Sequence, residues 1–343
     1  MGCFSHPGAR KRGPQRQSAP VLPIFLVTLP FFALVAAGYL AARIRILPLE
    51  AIPGLNAFVL YFALPCMLYR FGATTPIGQL LDDSVALVWG ICALIVVAAV
   101  VATGRNERIG WNDAAFGALV AAFPNTGFMG VPLLTAILGA QAGGPVIITI
   151  FFDMLVTSSL CIALSRLDSA DAGGAAQAMR RALAGVLRNP LPWAIVLGGL
   201  SSWTGLRLPG PLDKTVSMLA DAASPVALFT IGAVLARSAL MAQQARGHAP
   251  LRDVLPAVVV KLVAHPLLVG AVALGLRALG LPLSAPAVAG LVLIAALPSA
   301  SNVSMLAERF GADNGRVARI ILWTTVAAFF TFPLLVQQTA RWR

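Results

Sequence analysis

The chain has 343 residues, 58% of them hydrophobic and 11% charged, with a formal net charge of +12. Soluble domains carry roughly a quarter charged residues, so most of this chain has no water to face and a string of soluble domains is excluded. The basic excess does not make a nucleic-acid-binding protein, because the Lys and Arg residues lie in short segments between apolar runs, where they act as orientation signals.

In chain order, residues 1–20 form a basic tail (Arg10, Lys11, Arg12, Arg16) expected to be disordered. The start Met1-Gly2-Cys3 hints at acylation, but His6 stands where the myristoylation motif takes Ser or Thr. The apolar run that follows exceeds the roughly 7–15 residues of a signal-peptide core, so it reads as a first membrane span. Crossing the hydrocarbon layer takes about 20 apolar residues. Runs of that kind fall at approximately 21–43, 52–72, 84–103, 113–138, 144–166, 190–206, 214–236, 254–279, 286–307 and 316–338. The expectation is an all-α polytopic membrane protein with about ten transmembrane helices. Cys3, Cys66, Cys92 and Cys161 show neither metal spacing nor a disulfide framework. No metal and no cofactor are expected.

Connections on the side of Arg43, Arg105, Arg166, Arg180, Arg188, Arg246, Arg309 and Arg316 hold about 14 basic residues, against about 6 on the other side without the tail. The positive-inside rule then puts both termini outside the cytoplasm and the longest connection, about 167–189, inside. That segment reads as a cytoplasmic linker, with a short amphipathic surface helix as the alternative. It separates a first five-helix repeat, 21–166, from a second, 190–343.

Two prolines interrupt apolar runs, and small polar residues follow each at once. Pro124 lies in Ala122-Phe123-Pro124-Asn125-Thr126-Gly127, and Pro298 in Leu297-Pro298-Ser299-Ala300-Ser301-Asn302. A proline inside a helix removes a backbone donor and clashes with the preceding turn. In lipid the freed groups must be covered by protein or by a water-lined cavity. With five spans per half, the prolines fall in spans four and nine, where Gly117–Pro124 reads GALVAAFP and Gly290–Pro298 reads GLVLIAALP. Five is odd, so the second half enters the bilayer from the opposite face. An inverted repeat with two broken, crossing helices is expected, and such paired breaks point to a transporter binding site. Two ordinary proline kinks are the plainer alternative.

The segment Asn125-Thr126-Gly127-Phe128-Met129-Gly130-Val131-Pro132-Leu133 resembles the span-four signature of the auxin efflux carrier family. Three further stretches resemble its second, seventh and ninth spans. They are Leu55-Asn56-Ala57-Phe58-Val59-Leu60-Tyr61-Phe62-Ala63-Leu64-Pro65, Ser224-Pro225-Val226-Ala227-Leu228-Phe229-Thr230-Ile231-Gly232, and Leu297–Asn302 continued by Ala307-Glu308-Arg309-Phe310-Gly311-Ala312-Asp313. The likeness covers roughly residues 22–340. It implies ten helices in two inverted repeats, a crossover of spans four and nine, outward-facing termini, and alternating access, often in a dimer. Plant auxin carriers and bacterial transporters assigned to malate and malonate belong to that family. The basic tail departs from the family pattern, which begins near Val21.

A helix restarted at mid-membrane presents unpaired N–H groups and the positive end of its dipole, an anion site. Thr126, Gly127 and Ala300–Asn302 would offer such groups; Asn125 and Asn302 would add amides, and Thr126, Ser299 and Ser301 hydroxyls. Gly127 and Gly130 would permit close backbone approach. Helix–helix packing is the competing role for these small and polar residues. Asp153 in span five, and Lys261 and His265 one turn apart in span eight, are ionisable residues at depth. They would support an anion's charge or carry a coupled proton, against an Asp153–Lys261 structural ion pair. Asn56 is a candidate cavity-lining residue, and Asp221 reads as a helix-start residue. No Walker sequence or H-E-x-x-H occurs, so an enzyme is not expected. The function expected is secondary transport of small organic anions by a multi-pass protein of the inner (plasma) membrane. A homodimer is expected, and the partners are the anion, lipid and a coupled proton. The alternatives are a cation/proton antiporter on the same fold and a receptor that moves nothing.

Overall fold

The computed structural model describes residues 21–167, 180, 184, 187–244 and 250–339. The basic tail and most of the expected 167–189 linker lie outside the described residues. Each apolar run coincides with a helix or with two half-helices. They are α1 (Val21–Arg43), α2 (Leu49–Thr74), α3 (Ile77–Gly104), α4a (Trp111–Ala122), α4b (Thr126–Leu138), α5 (Gly143–Leu164), α6 (Pro190–Thr204), α7 (Gly210–Gln244), α8 (Leu251–Ala278), α9a (Ala285–Ala295), α9b (Asn302–Arg309) and α10 (Asn314–Thr339). Among the described residues there is no strand. Six helices among the described residues are long and apolar enough to cross a membrane, and α4b, α9a and part of α1 are shorter apolar helices. Leu40, Leu94, Leu267 and Phe330 are among the large apolar side chains left exposed, as lipid contact would require.

Helix starts follow local chemistry. The Asp82 carboxylate accepts from the Ser84 and Val85 amides within α3, Asn189 accepts from Leu191, and the Ser284 hydroxyl accepts from Ala287. Inside the helices, three wide π-turns, Val59–Ala63, Thr126–Gly130 and Val260–Ala264, each end two residues before a proline: Pro65, Pro132 and Pro266. A proline ring clashes with the carbonyl four residues back, and the wider turn accommodates it. A fourth π-turn, Asp153–Thr157, has no such proline.

The helices pack in two groups. In one, α1 lies along α7, and α2 along α6 and α7. In the other, α3 packs on α4a and α8, α8 on α9a, and α5 on α3, α4a and α9a. Helix α10 touches both groups, through α1 and α7 and through α8 and α9b. Glycines set the closest approaches of the first group. A Cβ on Gly38 would collide with the Phe229 carbonyl, and one on Gly232 with the Val35 carbonyl. Likewise Gly198 faces the Tyr69 carbonyl, and Gly72 faces the backbone of Ile195 and Gly198. The glycines of α2 and α7 sit in one shared pattern: Ala63, Pro65, Leu68, Gly72 and Ala73 recur with the same spacing as Ala223, Pro225, Leu228, Gly232 and Ala233.

The obstacle at Gly232 is rigid backbone, so Gly232→Ala is expected to force α1 and α7 apart and destabilise the protein by about 1–3 kcal/mol. Gly54→Ala, whose Cβ meets nothing within 4 Å, serves as control. Thermal unfolding of the two variants in detergent checks this: Gly232→Ala melts lower, and Gly54→Ala stays near the parent.

Candidate functional site: two interrupted helices that cross

The chain leaves helical geometry between α4a and α4b at Phe123–Asn125 and between α9a and α9b at Ala296–Ser301. The two breaks pair with each other. The Asn125 amide donates to the Pro298 carbonyl (2.8 Å), and the Ala300 amide donates to the Phe123 carbonyl (3.0 Å), an antiparallel bridge centred on Pro124 and Ser299. The Ser299 amide donates to Thr324 Oγ1 of α10 (3.2 Å), whose hydroxyl donates to the Ile321 carbonyl.

This pairing refines the sequence expectation in two respects. In the antiparallel register Pro124 stands opposite Ser299, Asn125 opposite Pro298 and Phe123 opposite Ala300, so the two prolines do not face each other. Several break amides are also spent on protein carbonyls. Thr126 donates to Pro124, while Ala300, expected to face a ligand, holds the opposite break. The amides of Gly127, Phe128, Ser301 and Asn302 take no part in these bonds and remain the donors at the restarted ends.

Side chains converge at the same place. Asn125, Thr126 and Ser299 are buried and Ser301 and Asn302 half-buried. Asn125 Oδ1, Thr126 Oγ1, Ser299 Oγ and Asn302 Oδ1 are shielded atoms without a hydrogen-bond partner. Leaving such a group unsatisfied costs about 1–3 kcal/mol, and the presence of four at one crossing makes it the candidate site. Gly130 behaves as expected: its Cβ would press on Leu297 of the opposite break (2.8 Å). Gly127 does not, since a Cβ there would meet nothing within 4 Å. Its missing side chain borders open space.

Asp153 and Lys261 are fully buried but do not form the ion pair weighed from the sequence; each has other partners. Asp153 Oδ1 accepts from Trp89 Nε1 (3.0 Å) and from Thr157 Oγ1 (2.9 Å). Lys261 Nζ donates to the Ala295 carbonyl (2.9 Å) and lies 3.2 Å from His265 Nδ1. Ala295 is the last residue of α9a, so the ammonium sits on the negative end of a half-helix at the break. The His265 ring packs on the Trp89 indole at 5.3 Å.

Trp89, Thr157 and Thr324 were not singled out by the sequence reading. A tryptophan in an apolar run reads as core, although a buried indole N–H needs an acceptor, and that was the available signal. Arg316 was counted as a basic loop residue but is buried in the first turn of α10. It donates to the backbone carbonyls of Asp113 and Asp253 and lies against Gly117. Asp221 is not a helix start, since α7 begins at Gly210; it pairs with Arg70 at 2.7 Å. Asn56 is half-buried in α2.

A polytopic helical protein whose two broken helices pair and leave polar groups unfilled has the form of a membrane carrier. Comparison with known proteins identifies the family. Residues 23–172 and 174–336 match the model described as membrane transport protein. The chain belongs to this family, the auxin efflux carrier family, and is a multi-pass membrane protein. It is 31% identical over 312 residues to the "Putative malonate transporter" of Rhizobium meliloti (strain 1021), covering 89% of this chain and 92% of the relative. It is 26% identical over 219 residues to the uncharacterized transporter YfdV of Escherichia coli (strain K12), covering 61% of this chain and 67% of that protein. Auxin efflux carrier component 8 of Arabidopsis thaliana is 22% identical over 264 residues, covering 61% of this chain and 71% of the plant protein.

Because a Cβ on Gly127 would meet only open space, Gly127→Ala is expected to fold with an unchanged or slightly raised melting temperature. It is expected to lower uptake of a bound carboxylate at least several-fold. Melting and uptake measured on one preparation separate crowding of the site from damage to the fold.

Proposed function

We propose that the chain is a secondary carrier of small organic anions and that a carboxylate binds where the two breaks cross. Asn125, Thr126, Gly127, Ser299, Ser301 and Asn302 contact the substrate, while Pro124 and Pro298 keep the helices open. The observation that carries this reading is the convergence of shielded polar side chains on one backbone crossing: the unpartnered hydroxyls of Thr126 and Ser299 can donate to a carboxylate, and the Asn125 and Asn302 side chains can do so through Nδ2, their unpartnered Oδ1 atoms being acceptors. Hydroxyl and amide groups donate to a carboxylate, and the restarted ends of α4b and α9b add N–H groups and positive dipole ends. Lys261 of α8, bonded to the Ala295 carbonyl at the end of α9a, supports the local positive potential. The printed name of the Rhizobium relative favours a dicarboxylate of malonate size, and that of the plant relative an aromatic carboxylate.

The architecture we infer is ten spans in two inverted five-helix repeats. The shared spacing in α2 and α7 supports duplication, and antiparallel pairing of the breaks supports inversion. The group of α1, α2, α6 and α7 then serves as the frame, against which the group holding the crossing moves during alternating access. The inferred setting is the inner membrane, with both termini outside the cytoplasm and the carrier a homodimer.

Asn125→Ala and Asn302→Ala are each expected to fold and to lose at least 90% of flux, on the order of the cost of one or more broken hydrogen bonds in the site. The check is uptake of labelled malonate, malate and indole-3-acetate into proteoliposomes. Parent-level uptake by both variants contradicts the site assignment, and no flux of any probe by the parent contradicts the carrier reading.

A further inference from the structure

The fourth π-turn has no proline to account for it, and it carries Asp153. The extra residue leaves the Asp153 carbonyl to accept from the Ser158 hydroxyl (2.8 Å) and turns the carboxyl group toward α3, where Trp89 Nε1 meets it. Isolated π-turns recur where a helix aims a functional side chain. The two carboxyl oxygens differ in environment. Oδ1 accepts from Trp89 and Thr157, while Oδ2 is shielded and without a partner.

Across the same indole stands His265, whose Nδ1 faces the Lys261 ammonium and whose Nε2 is also shielded and without a partner. An ammonium donates only, so Nδ1 accepts and the ring proton lies on Nε2. An unfilled acceptor on Asp153 and an unfilled donor on His265 thus flank one tryptophan. Lys261 completes the chain by donating to the Ala295 carbonyl at the break of α9.

The titratable groups around Asp153 are few. Lys261 and His265 come from α8, the Cys92 thiol lies on α3, and the Cys161 thiol lies on α5 itself. α9a and α4b carry no ionisable residue. On α2, Arg70 is paired with Asp221 and Tyr69 bonds Ser201, while Asp113 of α4a accepts from the Asp313 amide. Lys261 is therefore the opposite charge that acts on Asp153 behind the crossing, without direct contact between the two.

We propose that Asp153 is the proton-carrying site of the carrier and that its protonation is coupled to anion binding through Lys261 and the Ala295 end of α9a. The inference rests on the carrier reading above. With the carboxylate ionised, it offsets the ammonium, and the crossing gains little positive potential. A proton from the aqueous side forms an O–H bond at Oδ2, leaving Lys261 uncompensated behind the break, and the anion binds to that excess charge. After the protein reopens, the O–H bond breaks and the proton leaves to the water on the far side with the anion. One proton and one anion enter and leave together; no other bond changes. Trp89 is a positioning residue that holds the carboxyl group by its other oxygen.

The test combines two readouts. In pH-difference infrared spectra of the purified parent, a buried carboxyl C=O band is expected to appear on acidification. It should be absent in Asp153→Asn and shifted in frequency in Trp89→Phe, which removes the donor to Oδ1. In proteoliposomes with a trapped pH dye, malonate uptake by the parent is expected to carry protons inward. Asp153→Asn is expected to carry no protons with malonate and to lose the dependence of uptake on a pH gradient. If the parent lacks the infrared band, or Asp153→Asn carries protons with malonate as the parent does, the proposal is overturned. If Asp153→Asn does not fold, an unshifted band in Trp89→Phe overturns it. A parent that shows the Asp153 band yet moves no malonate, malate or indole-3-acetate contradicts the carrier reading instead, and with it the coupling.

Discussion

A backbone that leaves its helix far from water must find hydrogen-bond partners within the protein. Here two interrupted segments supply them to each other: Asn125 donates to Pro298, and Ala300 to Phe123. Much of the second packing group serves that exchange. Thr324 of α10 holds the Ser299 amide, Gly130 lets Leu297 of the other break come close, and Lys261 of α8 closes the carbonyl end of α9a. The crossing is rigid because its backbone is satisfied. It is receptive because Asn125, Thr126, Ser299 and Asn302 hold polar atoms in reserve. This division of labour, with backbone bonds spent on structure and side-chain atoms left over, is what the proposed site has and two plain proline kinks would lack.

The frame obeys a different constraint. Within lipid there is little hydrophobic force to drive one helix against another, so close packing between small residues has to do the work. Gly38 with Gly232, and Gly72 with Gly198, bring α1 to α7 and α2 to α6 near backbone contact. One half of each contact comes from the repeated Ala-x-Pro-x-x-Leu-x-x-x-Gly-Ala pattern of α2 and α7. At one end of the crossing group, buried Arg316 ties the starts of α4a and α8 to α10 through the Asp113 and Asp253 carbonyls. A single guanidinium thereby links three elements of the chain.

The spans were legible because apolar length is a strong signal and charges punctuate it: every expected run falls on a helix or on two half-helices. The breaks were legible because proline and asparagine have no other reason to stand together in an apolar run. The register of the pairing was not, since it depends on which carbonyl faces which amide. The glycine roles were only half legible. Gly130 and Gly127 look alike in sequence, yet one meets a leucine and the other open space. Arg316 looked like a loop charge because burial of its guanidinium depends on carbonyls 63 and 203 residues away in the chain, at Asp253 and Asp113. Trp89 was invisible for the same reason: its acceptor, Asp153, lies on another helix and is turned toward it by a π-turn that no proline announces.

The central claim is that the side-chain amides at the two breaks hold a carboxylate together. Magnetic resonance of protein labelled with nitrogen-15 asparagine in lipid bilayers tests it directly, with Asn125→Gln and Asn302→Gln used to assign the two amide signals. Titration with malonate, malate or indole-3-acetate is expected to move both signals with a single saturation curve, while the amides of Asn106 and Asn189 stay still. If a probe that saturates the protein leaves both signals unmoved, or moves only asparagines away from the crossing, the account is contradicted.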